Sequence, residues 1–240
     1  MNADLGDNSA REDAARSQDS SDGDSAHAGR AGSRHETPAP AAILIGPPGA
    51  GKTTVGELLA GLLGVGFVDT DASVEAVAGK PVSDIFIEDG EPAFRKLERE
   101  AVAAAVAGQA GAAGVPGRGH VLGLGGGAVL DDGTQALLAG HRVVYLETGF
   151  TELAKRVGLD KPRPLLIGIN PRAQLKALLE QRRPVYAGLA RVIVPTDGRE
   201  PAEIAAEVAA LLETTGPPDT GVLPDTMGRA GDRAPRQPGQ

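Results

Sequence analysis

Cysteine and tryptophan are absent from this chain, and its aromatic residues amount to two tyrosines and four phenylalanines. Without cysteine there is no disulfide, no thiolate zinc site and no cysteine nucleophile. Basic charge is scarce too: 24 Lys and Arg stand against 32 Asp and Glu, a net charge of −8. A nucleic-acid binder wants a basic face or aromatic stacking platforms, so no nucleic-acid partner is expected. His27, His35, His120 and His141 are scattered without ligand spacing and read as ordinary surface or core residues. No run of about 18 apolar residues is present to span a membrane. The N-terminus is acidic and polar, without the apolar stretch of a secretory signal. The expectation is a soluble cytoplasmic protein.

What the chain has in quantity is alanine, glycine and aliphatic residues, enough to bury a core within one domain. Residues 1–40 carry almost no large apolar side chain and cannot offset their ordering entropy, so they are expected to form a disordered tail. Residues 214–240, rich in Pro and Gly, are expected to do the same. Between the tails, short apolar runs at 41–45, 65–68, 120–124, 142–146 and 191–194 read as strands. Their almost wholly apolar faces suit a parallel sheet covered on both sides. Helical patterns lie between them: 52–63, one long stretch over 74–107, 134–138, 150–157, 172–186 and, after Pro201, 202–212. Strand alternating with helix predicts an α/β doubly wound fold. The glycine-rich segment 108–119 reads as a surface loop.

Gly46 to Thr53 read GPPGAGKT, with Gly46, Gly51, Lys52 and Thr53 meeting G-x-x-x-x-G-K-[ST]. In a chain this rich in glycine, accidental matches are expected on the order of 0.01 times. The context is also right, because an apolar strand (AAILI) enters the loop and an amphipathic helix (TTVGELLAGLL) leaves it. Such a loop aims backbone N–H groups at phosphates. Lys52 would reach the β- and γ-phosphates, and the Thr53 hydroxyl would ligate Mg²⁺. The motif therefore predicts a nucleoside triphosphate bound with Mg²⁺.

The acceptor of that triphosphate is harder to read. Asp69 and Asp71 follow the second strand, and in extended chain residues two apart point the same way. One could hold Mg²⁺ through water while the other orients or deprotonates a hydroxyl. Alternatively, Asp71 or Ser73 merely caps the next helix. VVYLE at 143–147 imitates a Walker-B strand ending in a catalytic Glu, but the further motifs of such ATPases are lacking. Gly123, Gly125 and Ala128 satisfy the dinucleotide fingerprint, yet Asp131-Asp132-Gly133 interrupts the helix that should open there. A glycine run at a strand end also suits close approach of backbone to a small ligand.

Residues 155–183 form a basic island: Lys155, Arg156, Lys161, Arg163, Arg172, Lys176, Arg182 and Arg183 stand against Asp160 and Glu180. Some of these side chains line solvated helix faces. Lys161-Pro162-Arg163-Pro164, however, is a proline-stiffened loop presenting one arginine, suited to closing over phosphates. Arg95 and Arg182 could converge on an anionic acceptor, since arginine grips a carboxylate in a bidentate fork.

Over residues 41–213 the chain resembles shikimate kinase. The likeness rests on GPPGAGKTT, on DTD at 69–71, IFIEDGEPAFRKLE at 85–98 and LGLGGGAV at 122–129, and on RPLL at 163–166 and RRPVY at 182–186. Only the first is specific alone, but the ordered set is highly specific. The resemblance implies ATP-dependent phosphorylation of the 3-hydroxyl of shikimate, on the route to chorismate and the aromatic amino acids. It also implies a five-stranded parallel sheet with a mobile lid, placed here at about 158–172. Lys52, Asp71 and Arg163 would be catalytic, Asp71 as the base. Gly49, Ala50, Gly51, Lys52, Thr53, Thr54, Arg156, Arg163 and Arg199 would bind ATP, with Arg156 and Arg199 near the adenine. Asp71, Arg95, Gly125, Gly126, Gly127 and Arg182 would hold shikimate. One Mg²⁺ per subunit would sit on Thr53 and, through water, on Asp69, and a monomer is expected. The departures are Gly123 where the family often has Ser, a longer 108–119 loop, both tails, and Arg199, which lies in a loop that varies. A gluconate kinase is the alternative enzyme, and a non-catalytic nucleotide-responsive module is the alternative outside catalysis.

Overall fold

The structure, a computed structural model, describes residues 39–109, 119–158 and 170–214. The expected disordered tails therefore lie outside the described residues apart from a few residues at their inner ends. So do the interior of the 108–119 loop and most of the expected lid, including Arg163.

Five short strands form one parallel sheet in the order β2-β3-β1-β4-β5. They are β1 (Ala42–Ile45), β2 (Gly66–Asp69), β3 (His120–Gly123), β4 (Val143–Glu147) and β5 (Val192–Pro195). The three inner strands are buried almost throughout, which is why they read as unbroken apolar runs, whereas β2 and β5 lie at the edges with only one buried residue each. Alternation along each strand feeds two cores. Leu44, Val121, Val144 and Val194 pack on one face against α1 (Lys52–Leu63) and α8 (Pro201–Thr214). Ile43, Ile45, Leu122 and Tyr145 pack on the other, with Val102, Leu138 and Tyr186. Those three come from α4 (Glu91–Val106), α5 (Asp132–Leu138) and α7 (Pro171–Leu189). The remaining helix after β4 is α6 (Phe150–Arg156).

One expectation needs correction. The segment 74–107 is not a single helix but part of three: α2 (Thr70–Ala78), α3 (Val82–Glu88) and α4. Gly79 at φ 68° and Gly90 at φ 83° divide them, taking left-handed backbone that ends one helix or precedes the next. A small cluster of Val74, Ile85 and Phe94 packs the three together beside the sheet. The other elements match the expected segments to within a few residues at each end. Among the described residues no helix is long and apolar enough to cross a membrane.

The central position of β1 matters for the site. The chain leaves β1 between β3 on one side and β4 on the other, so the loop after it opens into the crevice at the strands' carboxyl ends.

Candidate active site

The loop after β1 is shaped by glycine. Gly49 and Gly51 stand at φ 84° and 93°, and no side chain caps α1, whose N-cap is Gly51. The first N–H groups of α1 are thus left for a ligand, and their dipoles favour an anion. Lys52, the first helical residue, folds back so that Nζ donates to the carbonyls of Gly46 at 2.9 Å and Pro47 at 3.1 Å. Burial lowers its pKa to about 8, against the pull of Asp71 and Asp69. A cleft of about 680 Å³ lies over this loop; Gly49 through Thr54, Asp69, Asp71, Arg156 and Arg199 all line it.

The paired aspartates reach the cleft by a route other than the expected one. Only Asp69 ends the strand; Asp71 is in the first turn of α2. The capping role falls to Asp69, not to Asp71 or Ser73: its Oδ1 accepts from the N–H of Asp71 at 2.9 Å and of Ala72 at 3.4 Å. Its other oxygen, Oδ2, accepts from Thr53 Oγ1 at 2.9 Å. Because Asp69 holds the helix start, Asp71 is carried round into the cleft by helical geometry. Burial, followed by repulsion from Asp69, raises its carboxyl pKa above the ordinary range, with Lys52 opposing.

Beyond β3 the chain runs through Gly125, Gly126 and Gly127, where Gly126 packs against the rigid Pro48 ring and the other two lie against the ends of site side chains. A Cβ on Gly125 would lie 2.5 Å from Asp71 Oδ1, one on Gly126 2.7 Å from Pro48 Cδ, and one on Gly127 2.7 Å from Arg95 Nη1. The Gly126 carbonyl accepts from Arg182 Nη1 at 3.1 Å. Arg95 on α4 and Arg182 on α7, distant in sequence, therefore border the same three glycines. Arg95 is held by Glu98 at 2.6 Å and by Glu91, whose Oε1 accepts from both Nε and Nη2. The glycines lead directly into a 3-10 turn at Ala128–Leu130, not into the helix that the dinucleotide fingerprint requires there, and α5 begins only at Asp132.

Other expected residues sort clearly. Arg156 donates to the carbonyls of Ala50 and Thr196 and pairs with Glu152, forming part of the cleft wall. Arg199 faces the same cleft while tied to Pro195 O and Glu207. The basic island does not act as one surface: Lys155 pairs with Glu152, Lys176 with Glu180 and Arg183 with Glu147. That last pair lies at 2.7 Å, and Glu147 lines a separate cavity and not the cleft over the phosphate loop, where a Walker-B carboxylate would have to stand.

Three neighbours of the site were not singled out from sequence. Glu98 is almost fully buried, and burial raises its pKa against the pull of Arg95. Thr70 Oγ1 accepts from the Gly125 N–H at 2.9 Å. Tyr186 Oη donates to Gly126 O at 2.6 Å. Helical spacing held a signal for two of them, since Glu98 follows Arg95 by three residues and Tyr186 follows Arg182 by four.

A phosphate loop opening onto carboxylates, with a second, arginine-bordered cradle beside them, defines a P-loop kinase acting on a small molecule. The family model for shikimate kinase matches residues 48–213. The chain belongs to the shikimate kinase family, whose members phosphorylate shikimate with ATP, and it is an enzyme of that family. It is 59% identical to a shikimate kinase of Salinispora arenicola over 174 residues, covering 72% of this chain and 98% of that protein. It is 58% identical to one of Thermobifida fusca over 177 residues, covering 74% and 97%. Among solved structures, shikimate kinase from Acinetobacter baumannii in complex with shikimate superposes with a TM-score of 0.63 at 34% identity, covering 75% of this chain and 95% of that one. This membership does not favour the gluconate kinase or non-catalytic alternatives.

Proposed function

We propose that this chain transfers the γ-phosphoryl group of ATP to the 3-hydroxyl of shikimate, with the residue roles that follow. The observation that carries the reading is the position of Asp71. This one carboxylate lines the cleft over the phosphate loop and also lies against Gly125 in the arginine-bordered cradle. Donor and acceptor sites therefore meet at it.

On the donor side, the N–H groups from Gly49 to Thr54 take the phosphates, and Lys52 turns from its own loop carbonyls to the β- and γ-phosphate oxygens. Arg156 and Arg199 wall the end of the cleft toward the adenine. Arg163 lies outside the described residues, and the role proposed for it, an arginine on the phosphates, rests on the family resemblance alone.

The donor set fits one Mg²⁺ arriving with the nucleotide. Thr53 Oγ1 donates a hydrogen bond to Asp69 and keeps lone pairs for a metal, and Asp69 can hold a metal-bound water. Among the described residues no group of three or more His, Cys, Asp or Glu side chains could hold an ion alone, so phosphate oxygens and water must complete the shell. When bound, the ion neutralises charge on the β- and γ-phosphates.

On the acceptor side, Arg95, Arg182 and the N–H groups of Gly126 and Gly127, unpartnered among the described residues, bind the ring's carboxylate and hydroxyls. Asp71 orients the reacting hydroxyl and takes its proton, helped by its raised pKa. The rest of catalysis is positioning and charge neutralisation. The enzyme works as a cytoplasmic monomer. ADP release measured with shikimate and with gluconate tests the reading: turnover only with shikimate is expected, and turnover only with gluconate would overturn it.

A further inference from the structure

The Gly126 carbonyl uses both of its lone pairs on α7, accepting from Tyr186 Oη at 2.6 Å and from Arg182 Nη1 at 3.1 Å. The two donors sit one helical turn apart but differ in freedom. Tyr186 is fully buried and stacked on Tyr145 with ring centroids 5.1 Å apart, and burial raises its pKa so that it stays a donor. Arg182 is only partly covered, and its buried Nε has no partner. An anionic acceptor can therefore draw the Arg182 guanidinium away from the carbonyl, while Tyr186 cannot leave it. A trans peptide is planar, with the carbonyl and the following N–H pointing opposite ways. Fixing Gly126 C=O toward α7 turns the Gly127 N–H away from α7. Neither that N–H nor the Gly126 N–H has a partner among the described residues. On the other flank the buried Gly125 N–H is anchored to Thr70 Oγ1.

We propose that Tyr186 is a positioning residue for the acceptor. Its hydroxyl holds the Gly126–Gly127 peptide so that the free N–H meets a carboxylate or hydroxyl oxygen of the bound ring, and it does so after Arg182 has turned to the ligand. Thr70 fixes the same segment from the other side. The inference rests on the acceptor site proposed above.

The test is Tyr186→Phe, which keeps the ring and its stack but removes the donor, with Arg182→Ala measured alongside. The expected result is a shikimate KM raised about five- to tenfold, the scale of one lost buried hydrogen bond, with kcat and the KM for ATP unchanged. A merely structural role would lower Tm and move both KM values together or neither. Thr70→Val should raise the shikimate KM in the same selective way, and Thr70→Ser should restore it. This second pair decides the matter if Tyr186→Phe folds poorly. A wild-type shikimate KM in Tyr186→Phe, with a raised one in Arg182→Ala, overturns the positioning role and leaves the acceptor site standing. If neither variant moves it, both readings fall.

Discussion

At Asp71 burial and the neighbouring Asp69 disfavour the charge, and Lys52 and Arg95 restore it only in part. A carboxylate with a raised pKa is a stronger base toward an alcohol than an ordinary one. Asp71→Asn is therefore expected to lower kcat by roughly 10²–10⁴-fold, the usual range for a lost acid–base group. ATP affinity, read by calorimetry, should be unchanged, and wild-type-like turnover would end the role as base or orienter. Lys52 makes a second prediction at this scale. Its pKa of about 8 belongs to the free loop, where it faces carbonyls. Phosphate oxygens would raise it, so the complex binds more protons than the free enzyme above pH 8. ATP affinity should then be flat below that pH and fall by up to about one log unit per pH unit above it. A flat profile to pH 9.5 would show that Lys52 is already fully charged in the free enzyme.

At the scale of elements, Asp69 is shared between two tasks that a pair of substitutions can separate. It caps α2 through Oδ1 and holds Thr53 through Oδ2. Asparagine caps about as well as aspartate, whereas alanine costs about 1 kcal/mol. Asp69→Ala should thus lose about 2–4 °C of Tm in a domain of this size, while Asp69→Asn keeps it. Both should need more Mg²⁺ for half-maximal rate; a normal Mg²⁺ requirement in Asp69→Asn would remove the metal role. The cap also explains what sequence could and could not convey about the elements. Alternating apolar runs and helical periods were enough to place all five strands, because a parallel sheet buried on both faces leaves that imprint. The aspartate pair suggested an extended segment only because nothing in DTDAS marks which residue starts the helix. Gly79 and Gly90 were visible in the sequence, but their left-handed backbone, which cuts one apparent helix into three, was not.

For the whole molecule, the donor site was legible because it is local: one loop, one helix start and one fixed spacing. The acceptor cradle was legible as separate candidates, but their assembly only through likeness to a family, since it joins α2, the glycines after β3, α4 and α7 across more than 100 residues. Glu98, Thr70 and Tyr186 stand inside the motifs at 85–98, 69–71 and 182–186, but sequence assigns them no role, because burial and close approach, not residue type, give them their part. Bringing these groups together sets carboxylates against stability, and that conflict can be measured. Asp71 has a raised pKa in the folded state, so the folded protein binds more protons than the unfolded chain between the ordinary aspartate value and the raised one. The penalty is absent below the ordinary value, grows as pH rises through the raised pKa, and is complete above it. Asp71→Asn removes it, as a substitution that trades activity for stability should. The variant is expected to melt above the wild type at pH 7.5, with the difference shrinking toward zero as pH is lowered to the ordinary aspartate value of about 4. Thermal denaturation of both proteins across that range reads it directly. A variant less stable than wild type at pH 7.5 would mean that the attraction of Asp71 for Lys52 outweighs its burial, and that the cleft is held together by the charges that do its chemistry.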